Sequence, residues 1–217
     1  MYEYRTYFNW LIFIAILNVT APSLATENTA FTDAQAVFET SLAGDKKATE
    51  PAIEKFSELV QQDPSHPLYL AYLGSAYTLK ARDAWMPWTR LRNAEKGLEM
   101  IDKALLMLKP QHDEQRLRGS IVSTEAHLVA VSTFLQVPKF MNRQQAAKDL
   151  LTATIETPVF EVSAPAVKGR LYLWAAEVAK REEQTDAERN YLEKALAVLP
   201  AGRHRDQSEQ QLMEIAQ

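Results

Sequence analysis

Apolar residues recur along this chain at spacings of three and four, the period of helices that bury one face, and turn residues cut the pattern into short segments. Thr32 to Leu42 carries Phe38 and Leu42 on one face; Thr32-x-x-Gln35 has the spacing of a capping box, and Gly44-Asp45 ends the segment. From Thr49 to Gln62 the stripe is Ile53, Phe56, Leu59 and Val60, with Pro51 in a first turn that tolerates its missing N–H. Asp63-Pro64 closes that helix, and His66-Pro67 launches the next, Leu68 to Ala81, striped by Leu70, Leu73, Tyr77 and Leu79. A fourth helix spans Leu91 to Leu108. A long fifth, Asp113 to Gln136, carries Leu117, Ile121, Leu128 and Phe134 until Val137-Pro138 stops it. Asn142 to Thr157, Val167 to Arg181 and Thr185 to Leu199 follow, the last opened by a second capping-box spacing, Thr185-x-x-Glu188. The tail is mostly polar apart from Leu212, Met213 and Ile215, and no alternating β-branched run predicts a sheet.

Within this helical series one arrangement of small and large residues recurs. Ala52-x3-Phe56-x2-Leu59-x4-Pro64 runs in phase into Leu70-x2-Leu73-Gly74-x2-Tyr77. Near the end, Tyr172-x2-Ala175-Ala176-x2-Ala179 is followed by Glu188-x3-Leu192-x2-Ala195-x4-Pro200, with Glu188 where a small residue is usual and Ala187 beside it as a replacement. These residues resemble the tetratricopeptide repeat family. The resemblance implies an all-α, right-handed superhelical solenoid of about four antiparallel helix hairpins, near 32–62, 67–109, 113–157 and 164–199, with a capping helix at 203–217. Small residues such as Gly74 and Ala176 would let paired helices approach closely. The ligand-facing positions of the family fall on Leu68, Ala71, Ser75, Thr78 and Leu79, and in the last copy on Arg170, Leu173, Glu177, Lys180 and Arg181. A groove between the two sets would be apolar at one end and charged at the other. Relatives that clamp a C-terminal carboxylate place Lys and Asn where this chain has Ala71 and Ser75, so the resemblance does not imply that mode.

Between Tyr77 and Gly97 the chain carries about eleven residues more than the repeat consensus, and insertions in solenoids are expected in loops. The segment holds Trp85, Pro87 and Trp88 among Lys80, Arg82, Arg90, Arg92 and Lys96, against Asp83 and Glu95. Tryptophan and arginine recur at binding hot spots, which makes Trp85, Trp88, Arg90 and Arg92 partner-binding candidates. The alternative is that the tryptophans fold back to cover the hairpin.

Composition narrows the function classes. Met1 to Arg5 with one acid and one base, an apolar run Trp10 to Leu17 and small residues at Ser23-x-Ala25 match the layout of a secretory signal peptide over residues 1–25, so the body is expected in the periplasm or cell envelope. A membrane is expected as a partner only through that segment, if it stays uncleaved. With no cysteine there is no lipoprotein site, disulfide or thiolate chemistry. The net charge of −4 argues against nucleic acid. His66, His112, His127 and His204 have no second ligand at metal spacing, and Glu125 and His127 lie on different helix faces, so neither metal, cofactor nor catalytic pair is expected. Phosphate loops, nucleophile elbows and Rossmann glycines are absent. The expected function is that of a noncatalytic exported scaffold that binds a protein or peptide partner. The alternatives are a binder of an apolar or anionic small molecule, in a pocket between the Trp85–Trp88 insertion and the Asp113–Gln136 helix, and an all-helical hydrolase.

Overall fold

The computed structural model describes residues 24–215, with side chains from Thr29 onward. The signal-peptide segment lies outside the described residues except for Leu24 and Ala25. Among the described residues the fold is all-α, with one short ribbon. Helix α1 (Leu24–Leu42) runs straight through Thr32, so Thr32-x-x-Gln35 is helix interior and not a capping box. Its buried face is Phe31, Ala34 and Phe38, at spacings of three and four. The Asp45 carboxylate accepts the Lys47 N–H to cap a 3-10 turn at Lys46–Ala48, which leads into α2 (Thr49–Gln62).

Helix α3 (Pro67–Asp83) and helix α4 (Pro87–Met107) are joined by only Ala84, Trp85 and Met86. The extra residues between Tyr77 and Gly97 therefore lengthen both helices and do not form a loop. The segment favours this: Leu79 to Arg82 are good helix formers, and Pro87 is preorganised for a first helical turn. Gly74 and Gly97 meet where these helices cross; a Cβ built on Gly74 would lie 2.5 Å from the Gly97 carbonyl oxygen, and one on Gly97 would lie 2.4 Å from that of Gly74.

The long helix expected from Asp113 begins later. Pro110–Asp113 is a 3-10 turn, and Arg116–Leu117 (β1) pairs antiparallel with Ser120–Ile121 (β2) around Arg118 and Gly119, whose φ angles are 50° and 81°. Two successive positive φ values suit a tight hairpin turn, and glycine supplies one of them without strain. Helix α5 (Val122–Gln136) then starts, buried on almost every side, as befits a central helix. Helices α6 (Gln144–Ile155), α7 (Pro158–Glu161), α8 (Pro165–Arg181), α9 (Thr185–Val198) and α10 (Arg203–Ile215) complete the order. Thr185 lies inside the first turn of α9, where Gln184 is the cap residue and no side chain caps the helix, so the second capping box is also not formed. Glu188 itself is buried and Ala187 half-buried, so Ala187 does not take its place.

Neighbouring helices pack in sequence: α1 on α2, α2 on α3, α3 on α4, α5 on α6, and α8 on α9. In addition α3 packs on α5 and α5 on α8, which makes an inner row of α1, α3, α5 and α8 behind which α2, α4, α6 and α9 lie. One core is aromatic: Phe31, Phe38, Phe56, Tyr69 and Tyr72 interlock, with Phe56 stacked on Tyr72 at 5.0 Å between ring centres. A second, mainly aliphatic core joins Leu98, Ile101, Val131, Phe134, Leu151 and Leu171.

Candidate binding groove

The apolar faces that build the inner row do not fill it. A chamber of about 590 Å³ is bounded by Phe38 and Leu42 of α1, Tyr72, Ser75, Thr78 and Leu79 of α3, and Pro87, Arg90 and Leu91 of α4. Leu128, Val129, Ser132, Thr133 and Gln136 of α5, with Phe140 and Met141 of the 3-10 turn Lys139–Met141, close the other side. Two of its hydroxyls are occupied within the wall: Thr133 Oγ1 donates to Ser75 Oγ at 2.9 Å, and Thr78 Oγ1 to the Ser75 carbonyl at 2.8 Å. With these polar groups satisfied the wall offers mainly hydrocarbon, the usual lining of a ligand pocket of this size.

The chamber adjoins a second hollow of about 530 Å³, with Leu42, Ser132, Gln136 and Arg170 lining both. This basin is charged. Arg170, Arg181 and Arg203 face Glu39 and Glu177, an excess of one positive charge with His204 neutral. Arg170 reaches Glu39 at 3.3 Å, and Arg181 reaches Glu177 at 2.7 Å and the Leu135 carbonyl at 3.1 Å. Burial holds the His204 imidazole below its ordinary pKa, and Arg170 and Arg203 add to the effect against Glu39.

The residues expected to face a ligand divide by position. Ser75, Thr78, Leu79 and Arg90 line the chamber, Leu173, Glu177 and Arg181 line the basin, and Arg170 lines both. Leu68 and Ala71 do not: both are wholly buried in the aromatic core, where Phe31 of α1 packs on Tyr69 and Tyr72 of α3. Lys180 is exposed outside either hollow. Trp85 and Trp88 are 87% and 62% exposed, so they do not fold back over the hairpin. Neither they nor Arg92 line the groove. The packing residues Ala52, Phe56, Leu59, Leu70, Leu73, Ala176, Ala179, Leu192 and Ala195 are buried, Tyr77 and Tyr172 half-buried, and Pro64 and Pro200 exposed beyond helix ends.

Sequence reasoning passed over a buried carboxylate. Glu125, 2% exposed at the start of α5, accepts the Tyr72 hydroxyl at 2.8 Å and the Gln35 amide at 3.3 Å, with Arg118 3.8 Å away. Its other oxygen has no hydrogen-bond partner. Tyr72 also lines the chamber; burial, and then Glu125, raise its hydroxyl pKa well above the ordinary value, so it remains a donor. The only hint in the sequence is a Ser-Thr-Glu run inside an otherwise apolar helix. The histidines are occupied structurally: His66 stacks on Tyr69 at 3.8 Å, His112 Nδ1 accepts the Lys109 N–H at 2.9 Å, and His127 Nδ1 lies 3.0 Å from Thr154 Oγ1. Glu125 and His127 do point to different neighbours. The chain matches no protein-family model, no curated protein and no solved structure.

Proposed function

We propose that the chain is a noncatalytic, exported binding protein built on tetratricopeptide-like hairpins. Its groove receives an extended segment of a partner polypeptide, apolar side chains in the chamber and an acidic end in the basin. The observation that carries this reading is that Arg170, Ser132 and Gln136 line both hollows, which sets a hydrocarbon wall beside a surplus of arginine. Extended peptides lose affinity to ordering on binding, and a preformed groove limits that cost on the receptor side.

Titration calorimetry with short peptides of apolar residues ending in two aspartates tests it, against the same peptides ending in two lysines. The acidic series should bind the more tightly, and Leu79→Asp, which places a charge in the chamber wall, should weaken it. Equal affinity for both series would refute the proposed polarity.

A second reading, an apolar or anionic small molecule, is favoured by the location of the chamber between the first turns of α4 and helix α5, beside the Trp85–Trp88 insertion. Native mass spectrometry of freshly purified protein separates the two readings. A retained small ligand supports the second.

A further inference from the structure

At the mouth of the chamber two separate turns carry their aromatic side chains outward. Trp85 and Trp88 flank Pro87 at the α3–α4 junction, and Phe140 stands on the turn after α5. Their exposures are 87%, 62% and 72%, far beyond what aromatic residues usually tolerate in water. Pro87 and Phe140 both line the chamber, so both turns border it.

The charge around this rim is one-sided. Between Lys80 and Lys96 five bases stand against two acids, an excess of three in a chain whose net charge is −4. Lys80 is held by Glu50, Arg82 by Asp83, and Lys96 lies over the Tyr77 ring. Among the described residues Arg90 and Arg92 meet no carboxylate within ion-pair distance and are exposed. Arg92 follows Trp88 by four residues on α4, so the two share a helix face.

We infer that this rim, Trp85, Trp88 and Phe140 with Arg90 and Arg92, docks on the surface of a lipid bilayer that contains anionic lipid. Indole rings combine a large apolar body with one N–H donor and settle at the headgroup level, while nearby arginines meet lipid phosphates. A protein partner fits less well. At 87%, 62% and 72% exposure, the three rings offer on the order of 300–550 Å² if each can bury ~150–250 Å², and Met86 and Leu91, at 39% and 44%, add less, so the apolar area falls short of the ~800 Å² that a standard protein interface covers on each side. This contact involves no residue of the N-terminal segment, and Trp85, Trp88 and Arg92 lie outside the groove.

Flotation of the full chain with extruded vesicles tests the inference. Wild type should float with phosphatidylcholine vesicles containing about one third phosphatidylglycerol and far less with phosphatidylcholine alone, and high salt should release it. Trp85→Ala with Trp88→Ala should reduce the bound fraction at least tenfold, and Arg92→Glu several-fold, with unchanged circular dichroism. The N-terminal segment is common to every variant, so binding that survives the double substitution belongs to that segment and overturns the inference. Equal flotation with neutral and anionic vesicles, or none with either, overturns it as well. Peptide titrations of the same variants report the groove separately, so failure of one result leaves the other standing.

Discussion

Replacing Gly74 with alanine puts the α3–α4 crossing under a defined steric load. The new Cβ would sit 2.5 Å from the Gly97 carbonyl oxygen, 2.8 Å from Ile101 Cγ1 and 3.0 Å from Met100 Cβ, whereas ordinary contact begins near 3.4 Å. The nearest neighbour is backbone, so it cannot rotate away, and the helices must separate by about 0.9 Å, the difference between 3.4 and 2.5 Å. A gap of that size forfeits a quarter to a half of each dispersion contact along the seam, and overpacking of cores costs about 1–3 kcal/mol. Alanine returns roughly 0.5–1 kcal/mol through helix propensity. The expected net loss is about 0.5–2 kcal/mol, and for Gly74→Leu more. Gly97→Ala should behave alike, since its Cβ would meet the Gly74 carbonyl oxygen at 2.4 Å. Because either substitution already spreads the helices, the double variant should lose clearly less than the sum, by about 0.5 kcal/mol or more. Urea denaturation of the four proteins, analysed at a common m-value, measures this. A Gly74→Ala protein as stable as wild type, or strict additivity with Gly97→Ala, would refute the close-approach account.

Other outcomes follow from the buried polar groups. Tyr72→Phe removes the shortest donor to Glu125, whose second oxygen already lacks a partner, and should cost about 1–3 kcal/mol; in the Glu125→Gln background the loss should shrink, and denaturation midpoints that show no such coupling would count against the pair. Burial lowers His127 from 6.5 to about 4, partly opposed by Asp113, so the unfolded chain takes up its proton first as pH falls. Stability should therefore be at its full value above about pH 6.5 and decline toward pH 4, by at most roughly 3 kcal/mol from this group. His204, also lowered, pulls in the same direction. Thermal midpoints at several pH values should show a weaker dependence in His127→Gln than in wild type, and identical slopes would refute the assignment.

The helical class, most helix positions and the close-packing glycine were legible because each is written locally. Pro51, Pro67 and the Asp63-Pro64 junction mark ends by backbone chemistry, and the stripe of Ile53, Phe56 and Leu59 marks a face by its period. Two capping-box spacings misled for a complementary reason: residues three apart fit the interior of a helix as well as its start, and packing decided between them. The start of α1 was hidden because Thr32-x-x-Gln35 has the spacing of a helix start, whereas the helix runs through it from Leu24. The outward Trp85 and Trp88 were visible as a cluster but not as exposed. The Tyr72–Glu125–Gln35 contact joins residues 53 and 90 positions apart, which no local pattern encodes.

The contact between Glu39 and Arg170 spans 131 positions and brings the first described helix to the eighth. In an open stack each unit touches only its neighbours, so ends can fray one at a time. Here an ionic clasp also ties α1 to α8. The clasp is partly exposed and worth no more than about 1 kcal/mol, so it is weak enough to be exchanged. In the proposed binding mode a carboxylate arriving in the basin would compete with Glu39 for the same guanidinium and release this tie between α1 and α8. Loading the groove and opening the clasp would then be coupled.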